Sequence, residues 1–237
     1  MSSTLAPARQ VGLDSPGSSI FDLPSTANPR PSSSRAQGVN TEIPDSDDIS
    51  EPSFLVVSGG TGCNAICSAF GQNACYVLPV SDDGGSSSEI IRVIGGPSIG
   101  DIRSRLVRLI PPAPPGSSLD AIRGLLEHRL SADEHEARQR WREIVEGHSD
   151  LWSGIPNDRK ETIRGFLVYF ESELLRRAHK SFSFLNGSVG NFFIAATTSF
   201  FRSLPSAIFL FSSITQSQAN ILPVIVTNHT VTIAAEL

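Results

Sequence analysis

The sequence predicts an α/β fold, a mostly parallel sheet with helices on both faces, carrying a helical insertion. Three observations predict it. Short apolar runs rich in β-branched residues stop at glycine, first at Gly59 and again just before Gly84. A segment with helical spacing follows each run. A charged, amphipathic stretch over 117–180 then interrupts this alternation before it resumes. Strands that alternate with helices and exit through glycine are buried strands of a parallel sheet, covered by their crossovers.

Residues 1–50 are rich in Ser and Pro and lack periodic apolar positions. They cannot bury enough surface to offset the entropy of ordering, so this tail is expected to be disordered, and the folded domain spans 51–237. Phe54-Leu55-Val56-Val57-Ser58 reads as a buried strand ending at Gly59. Cys63 to Phe70 has helical spacing. Ala74 to Val80 reads as a second strand. Ser86 or Ser87 caps a helix through Glu89 and Ile91, which Gly95-Gly96-Pro97 breaks. Ile102 to Leu109 forms the next helix, with Asp101 as its N-cap.

Beyond the proline-rich loop Pro111 to Gly116 come two charged amphipathic patterns, Leu119 to Val145 and Arg159 to Ala178. Ile122, Leu125, Leu126 and Leu130 recur at three- and four-residue intervals, and Ser131 with Glu134 fits a capping box that splits the first pattern. The insertion 117–180 is expected to pack beside the sheet. An apolar helix follows from about Phe192 to Phe201, then another from Pro205 to Gln218. Ile221 to Val226 and Thr230 to Glu236 read as strands joined at Thr227-Asn228-His229.

Lys and Arg number 19 against 24 Asp and Glu, a net charge of −5, which is not the basic balance of a nucleic-acid binder. No apolar stretch approaches the roughly 18 residues of a membrane helix, and no secretory pattern opens the chain. Cys63, Cys67 and Cys75 match no zinc-ligand spacing. They read as reduced thiols, and the chain as cytoplasmic.

Chemistry concentrates at the two glycine loops, Gly59-Gly60-Thr61-Gly62 and Asp82-Asp83-Gly84-Gly85-Ser86-Ser87, about twenty residues apart as in a dinucleotide fingerprint. A strand that stops at glycine and turns into a helix leaves backbone N–H groups without partners. With the positive helix end they make a phosphate site. Thr61 and Asn64 add side-chain donors. Lys-Ser or Lys-Thr is absent after the first loop, so it is not a Walker loop. Two unit charges at 4 Å interact by roughly 4 kcal/mol at an effective dielectric near 20, more than the about 0.3–1 kcal/mol a helix end offers an exposed charge. Asp82 and Asp83 therefore cannot touch phosphate directly. They either face hydroxyls of the ligand, hold Mg²⁺ between themselves and the phosphates, or point away. Of Arg103, Arg105 and Arg108, Arg103 lies nearest its helix start and is the best placed for bidentate phosphate contact. Asn186 and Asn191 flank a third glycine-containing helix entrance. The five histidines are scattered.

Val56 to Gly62, Val80 to Ser87, Gly100-Asp101-Ile102-Arg103, Ser188 to Phe192 and Ile221 to Val224 together resemble, in order and spacing, the CofD/YvcK family. That family comprises 2-phospho-L-lactate transferases and YvcK-type factors. The resemblance implies a Rossmann-like nucleotide-binding domain and, because family members continue beyond the point matching Leu237, a C-terminally shortened member. The transferase branch uses a guanosine diphosphate-linked phospholactate with Mg²⁺; the YvcK branch binds UDP-sugars. Carried onto this chain, Gly60, Thr61, Gly62 and Asn64 line the phosphates, Asp82 and Asp83 approach the transferred group or metal as the catalytic pair, and Asn191 closes the pocket. The ligand is then a nucleoside diphosphate or nucleotide sugar, and a homo-oligomer is compatible with the sequence. Two other readings fit the residues: an NAD(P)-dependent oxidoreductase, from Gly60-Thr61-Gly62-Cys63-Asn64-Ala65, and a non-catalytic UDP-sugar-binding regulator.

Overall fold

A computed structural model describes residues 53–60, 62–70, 73–81, 84–218 and 220–235. The Ser/Pro-rich tail 1–50 and the site candidates Thr61, Asp82 and Asp83 lie outside the described residues. Strands β1 (Phe54–Val57), β2 (Ala74–Leu78) and β3 (Asn220–Pro223) form a parallel sheet in the order β1-β2-β3. Leu55 pairs with Cys75, and Tyr76 with Ile221. The central strand alternates as its pleat requires: Ala74, Tyr76 and Leu78 are buried, Cys75 and Val77 half-buried. The outer strand β1 is far more open, with Leu55 70% and Val57 72% exposed.

The segment 63–70 is not one α-helix. It forms two 3-10 turns, Gly62–Ala65 and Cys67–Phe70, with Ile66 N–H bonded to Cys63 O and Ala69 N–H to Ile66 O. Eight residues without a cap cannot sustain the i→i+4 ladder, and the tighter i→i+3 turn is the usual form of so short a piece.

Helix α1 (Gly85–Val93) begins two or three residues earlier than a cap at Ser86 or Ser87 would set it. Gly84 stands at its N-cap, and Gly85 takes φ +55°, a value a side chain would strain. Ser86 and Ser87 are thus buried in the first turn rather than capping it. In α2 (Gly100–Arg108) the N-cap is Ile99, and Asp101 lies inside the first turn. Next come α3 (Ser118–Glu127), α4 (Glu134–Glu146), α5 (Asn157–Arg176), α6 (Val189–Phe201) and α7 (Leu204–Thr215). The first amphipathic pattern does split near Ser131, but Asp133 is the cap: its carboxylate accepts from Glu136 N–H, while Ser131 Oγ donates to the Glu136 side chain.

The insertion α3–α5 packs on α6 rather than on the sheet. Helix α6 is buried from Val189 through Thr198, and its residue Phe192 meets the rings of Trp141, Phe170, Phe182 and Phe184 at centroid distances of 4.8–5.9 Å. Such pairs add to the burial of large apolar area. The α3–α4 loop holds the α6 entrance through Leu130 N–H to Gly187 O, Val189 N–H to His128 O and Asn186 N–H to Ser131 O.

After β3 the chain departs from expectation. No strand forms over 230–235; Thr230 Oγ1 instead donates to Gly96 O at 3.1 Å. Among the described residues no helix is long and apolar enough to cross a membrane.

Candidate functional site

Helix α2 is the beam on which two polar clusters hang. On one side Arg103 Nε donates to Asn191 Oδ1 at 3.2 Å, and Asn191 Nδ2 donates to Ser86 Oγ at 2.9 Å. This chain links the first turns of α2, α6 and α1, so three of the residues expected at the site are brought together. Asn191 and Ser86 are buried. Burial, reinforced by the neighbouring charges of Arg129 and Arg108 and opposed by Glu127, pushes the Arg103 pKa down to about 10. Arg103 remains a cation at neutral pH, and desolvation is the larger part of what its charge resists. An anion placed here relieves that cost. Close packing at the α6 entrance depends on Gly190: a Cβ there would lie 2.5 Å from Leu126 O and 3.2 Å from Arg103 Cδ.

On the other side α2 braces the first glycine loop. Asn64 Nδ2 donates to Ser104 Oγ at 3.1 Å, and Arg105 donates to both Asn64 Oδ1 (3.1 Å) and Ser58 Oγ (3.3 Å). The Arg105 guanidinium also lies 4.8 Å from the Tyr76 ring centroid, a cation–π distance. Gly60 faces the Asp101 carboxylate, whose oxygens lie 2.8 and 2.9 Å from where a Cβ would stand. Nothing larger than glycine fits without moving Asp101.

Gly59, Gly60 and Gly62 thus lie in the braced loop, Gly84 and Gly85 at the start of α1, and Ser87 inside its first turn. Asn186 contributes through its backbone: it holds φ +52° and its carbonyl accepts from Arg129. Sequence reasoning passed over Arg105, Ser58, Ser104 and Arg129. The signal for Arg105 was present: with Ile102 and Leu106 it falls on the apolar stripe of α2 at i+3 and i+4 spacing, where a charge is out of place.

Among the described residues no three His, Cys, Asp or Glu side chains converge on a metal position. A cavity of about 680 Å³ opens at the opposite end of the helices, lined by Gly95, Gly96, Arg176, Arg202 and His229 among others. The carboxyl ends of α1, α5 and α6 border it, and none of the residues expected at the site lines it.

The parallel sheet, its crossover helices and its glycine-bordered strand exits define a Rossmann-like α/β domain. The chain belongs to the CofD family: residues 54–237 match the family described as 2-phospho-L-lactate transferase CofD. A relative in Saccharomyces cerevisiae, "Uncharacterized protein YNL011C", is 40% identical over 194 residues, which are 77% of this chain and 42% of the yeast protein. Two crystal structures of a Bacillus halodurans protein of the UPF0052 family are similar at 20% and 21% identity, with TM-scores of 0.46 and 0.41. They cover 76% and 72% of this chain and 41% and 39% of theirs. The chain therefore spans about two-fifths of the length of these relatives.

Proposed function

We propose that the protein binds a nucleoside diphosphate or nucleotide sugar at the exits of β1 and β2, and that it transfers a phosphorus-containing group in the manner of the phospholactate transferases. The observation that carries this reading is the Arg103–Asn191–Ser86 chain, which ties the amino ends of three helices around a half-buried cation. Free N–H groups and positive helix ends favour phosphate, and Arg103 adds formal charge. The Asp101 carboxylate against Gly60 repels a phosphate placed directly over that glycine. A cation between carboxylate and phosphate removes the repulsion, which favours Mg²⁺ held by Asp82 and Asp83 with phosphate oxygens completing its shell. When bound, the ion would neutralise charge on the transferring group. The protein's own contribution is to fix the diphosphate through the α1 and α6 amides and to orient Asn191 by its two hydrogen bonds.

Isothermal titration of the protein with GDP, UDP-N-acetylglucosamine and NAD, each with and without Mg²⁺, tests the reading. Binding of a diphosphate strengthened by Mg²⁺ is expected. Binding of NAD alone, or of none of the three, defeats it. Binding without turnover assigns the protein to the regulatory class.

A further inference from the structure

Arg105 is fully buried, and no ion pair among the described residues includes it. Its Nη1 makes no hydrogen bond among the described residues. A buried cation without a counter-charge is costly, and an apolar side chain of the same volume would fill the space at lower cost. The two acceptors that Arg105 does have flank one segment: Ser58 immediately precedes Gly59, and Asn64 immediately follows Cys63. One guanidinium therefore spans both ends of the first glycine loop through two donors fixed in its planar fork, Nε and Nη2. Asp101, one turn earlier on α2, turns its carboxylate to Gly60. Among the described residues no carboxylate pairs with the guanidinium beneath the loop, and in a low-dielectric interior its field reaches the loop with little screening.

We infer that Arg105 is the positioning residue of the first glycine loop and that its buried charge selects a phosphate-bearing anion as the loop's ligand. This rests on the diphosphate reading above. It adds that affinity is set from below the loop, by a side chain that solvent never reaches.

The test compares the full chain with Arg105→Met and Arg105→Lys, by titration with GDP and Mg²⁺ and by thermal melting without ligand. Arg105→Met is expected to weaken GDP at least tenfold without a matching fall in melting temperature, because an unpaired buried charge has been removed. Arg105→Lys keeps the charge but loses the fork, and is expected to weaken GDP at least threefold. Wild-type affinity in either folded variant overturns the inference, as does a lowered melting temperature with an unchanged Kd in the folded fraction, the mark of a purely structural arginine. If Arg105→Met does not fold, Arg105→Lys decides the matter by the same threshold. Failure of the wild-type protein to bind GDP instead counts against the diphosphate reading itself.

Discussion

The helical layer around α6 and the strand exits on the sheet side are built on opposite principles. Around Phe192 the interior is a cluster of rings, and the indole donor within it, Trp141 Nε1, gives its proton to Glu171 at 2.6 Å. At the strand exits the buried groups are Arg105, Ser86, Ser188 and Asn191, and both Arg105 Nη1 and Ser188 Oγ lack partners among the described residues. A region that leaves desolvated donors unmatched sacrifices stability there. The contrast locates stability in the aromatic layer and ligand chemistry at the exits, so substitutions should separate the two.

The largest expected effect is on the aromatic side. Phe170→Ala removes a fully buried ring that packs on Trp141, Phe182 and Phe192. It should cost about 3–5 kcal/mol by chemical denaturation, and GDP affinity of the folded protein should not change. Loss of affinity with the fold intact would erase the contrast. Gly190→Ala lies where the two regions meet. Its methyl group drives against Leu126 O and Arg103, so a loss of about 1–3 kcal/mol is expected from overpacking, together with at least tenfold weaker GDP binding. If only stability moves, Arg103 does not need its present place. Asn191→Ala leaves Arg103 Nε and Ser86 Oγ without each other's bridge. A stability loss of about 1–3 kcal/mol is expected; titration should show a tenfold or greater loss of GDP affinity, out of proportion to the change in melting temperature.

The smallest effect is on pH dependence. Burial, helped by Arg140 and opposed by Asp150, holds the His128 pKa below its ordinary 6.5. The unfolded chain therefore takes up the proton first as pH falls. The contribution of neutral His128 is fully present above 6.5 and is lost as pH drops below it. His128→Gln should flatten the acid limb of a melting-temperature profile below pH 6.5, leaving the Val189 N–H bond to the backbone carbonyl at position 128 in place.

How much of this was legible beforehand depends on the range of the forces involved. Strands β1 and β2 and helices α6 and α7 are written locally, as apolar runs closed by glycine or opened by a cap such as Ser203. The segment 63–70 has helical spacing but no length or cap, and periodicity alone does not reveal that it stops at 3-10 turns. Thr230 to Ala235 alternates like a strand, but a strand needs a partner edge, and Thr230 turns instead to the carbonyl of Gly96. The glycine loops and Asn191 were visible because they break a pattern. Arg105 was visible too, as a charge on an apolar stripe, but its partners Ser58 and Asn64 lie more than forty positions away, and only folding brings them in. That the insertion lies on α6 follows from the aromatic faces of α4, α5 and residues 182–184 meeting one another, a fact of three-dimensional packing.

The central claim is that backbone amides of separate helix entrances face one diphosphate. Backbone amide chemical shifts followed by NMR during titration with GDP and Mg²⁺ test it most directly. The account predicts large, simultaneous shifts at Gly60, Gly84 to Ser87, Gly190 and Asn191, with the interior of α5 unmoved. Shifts confined to Gly95, Arg176 and Arg202 at the far cavity, or at only one of the entrances, would contradict it.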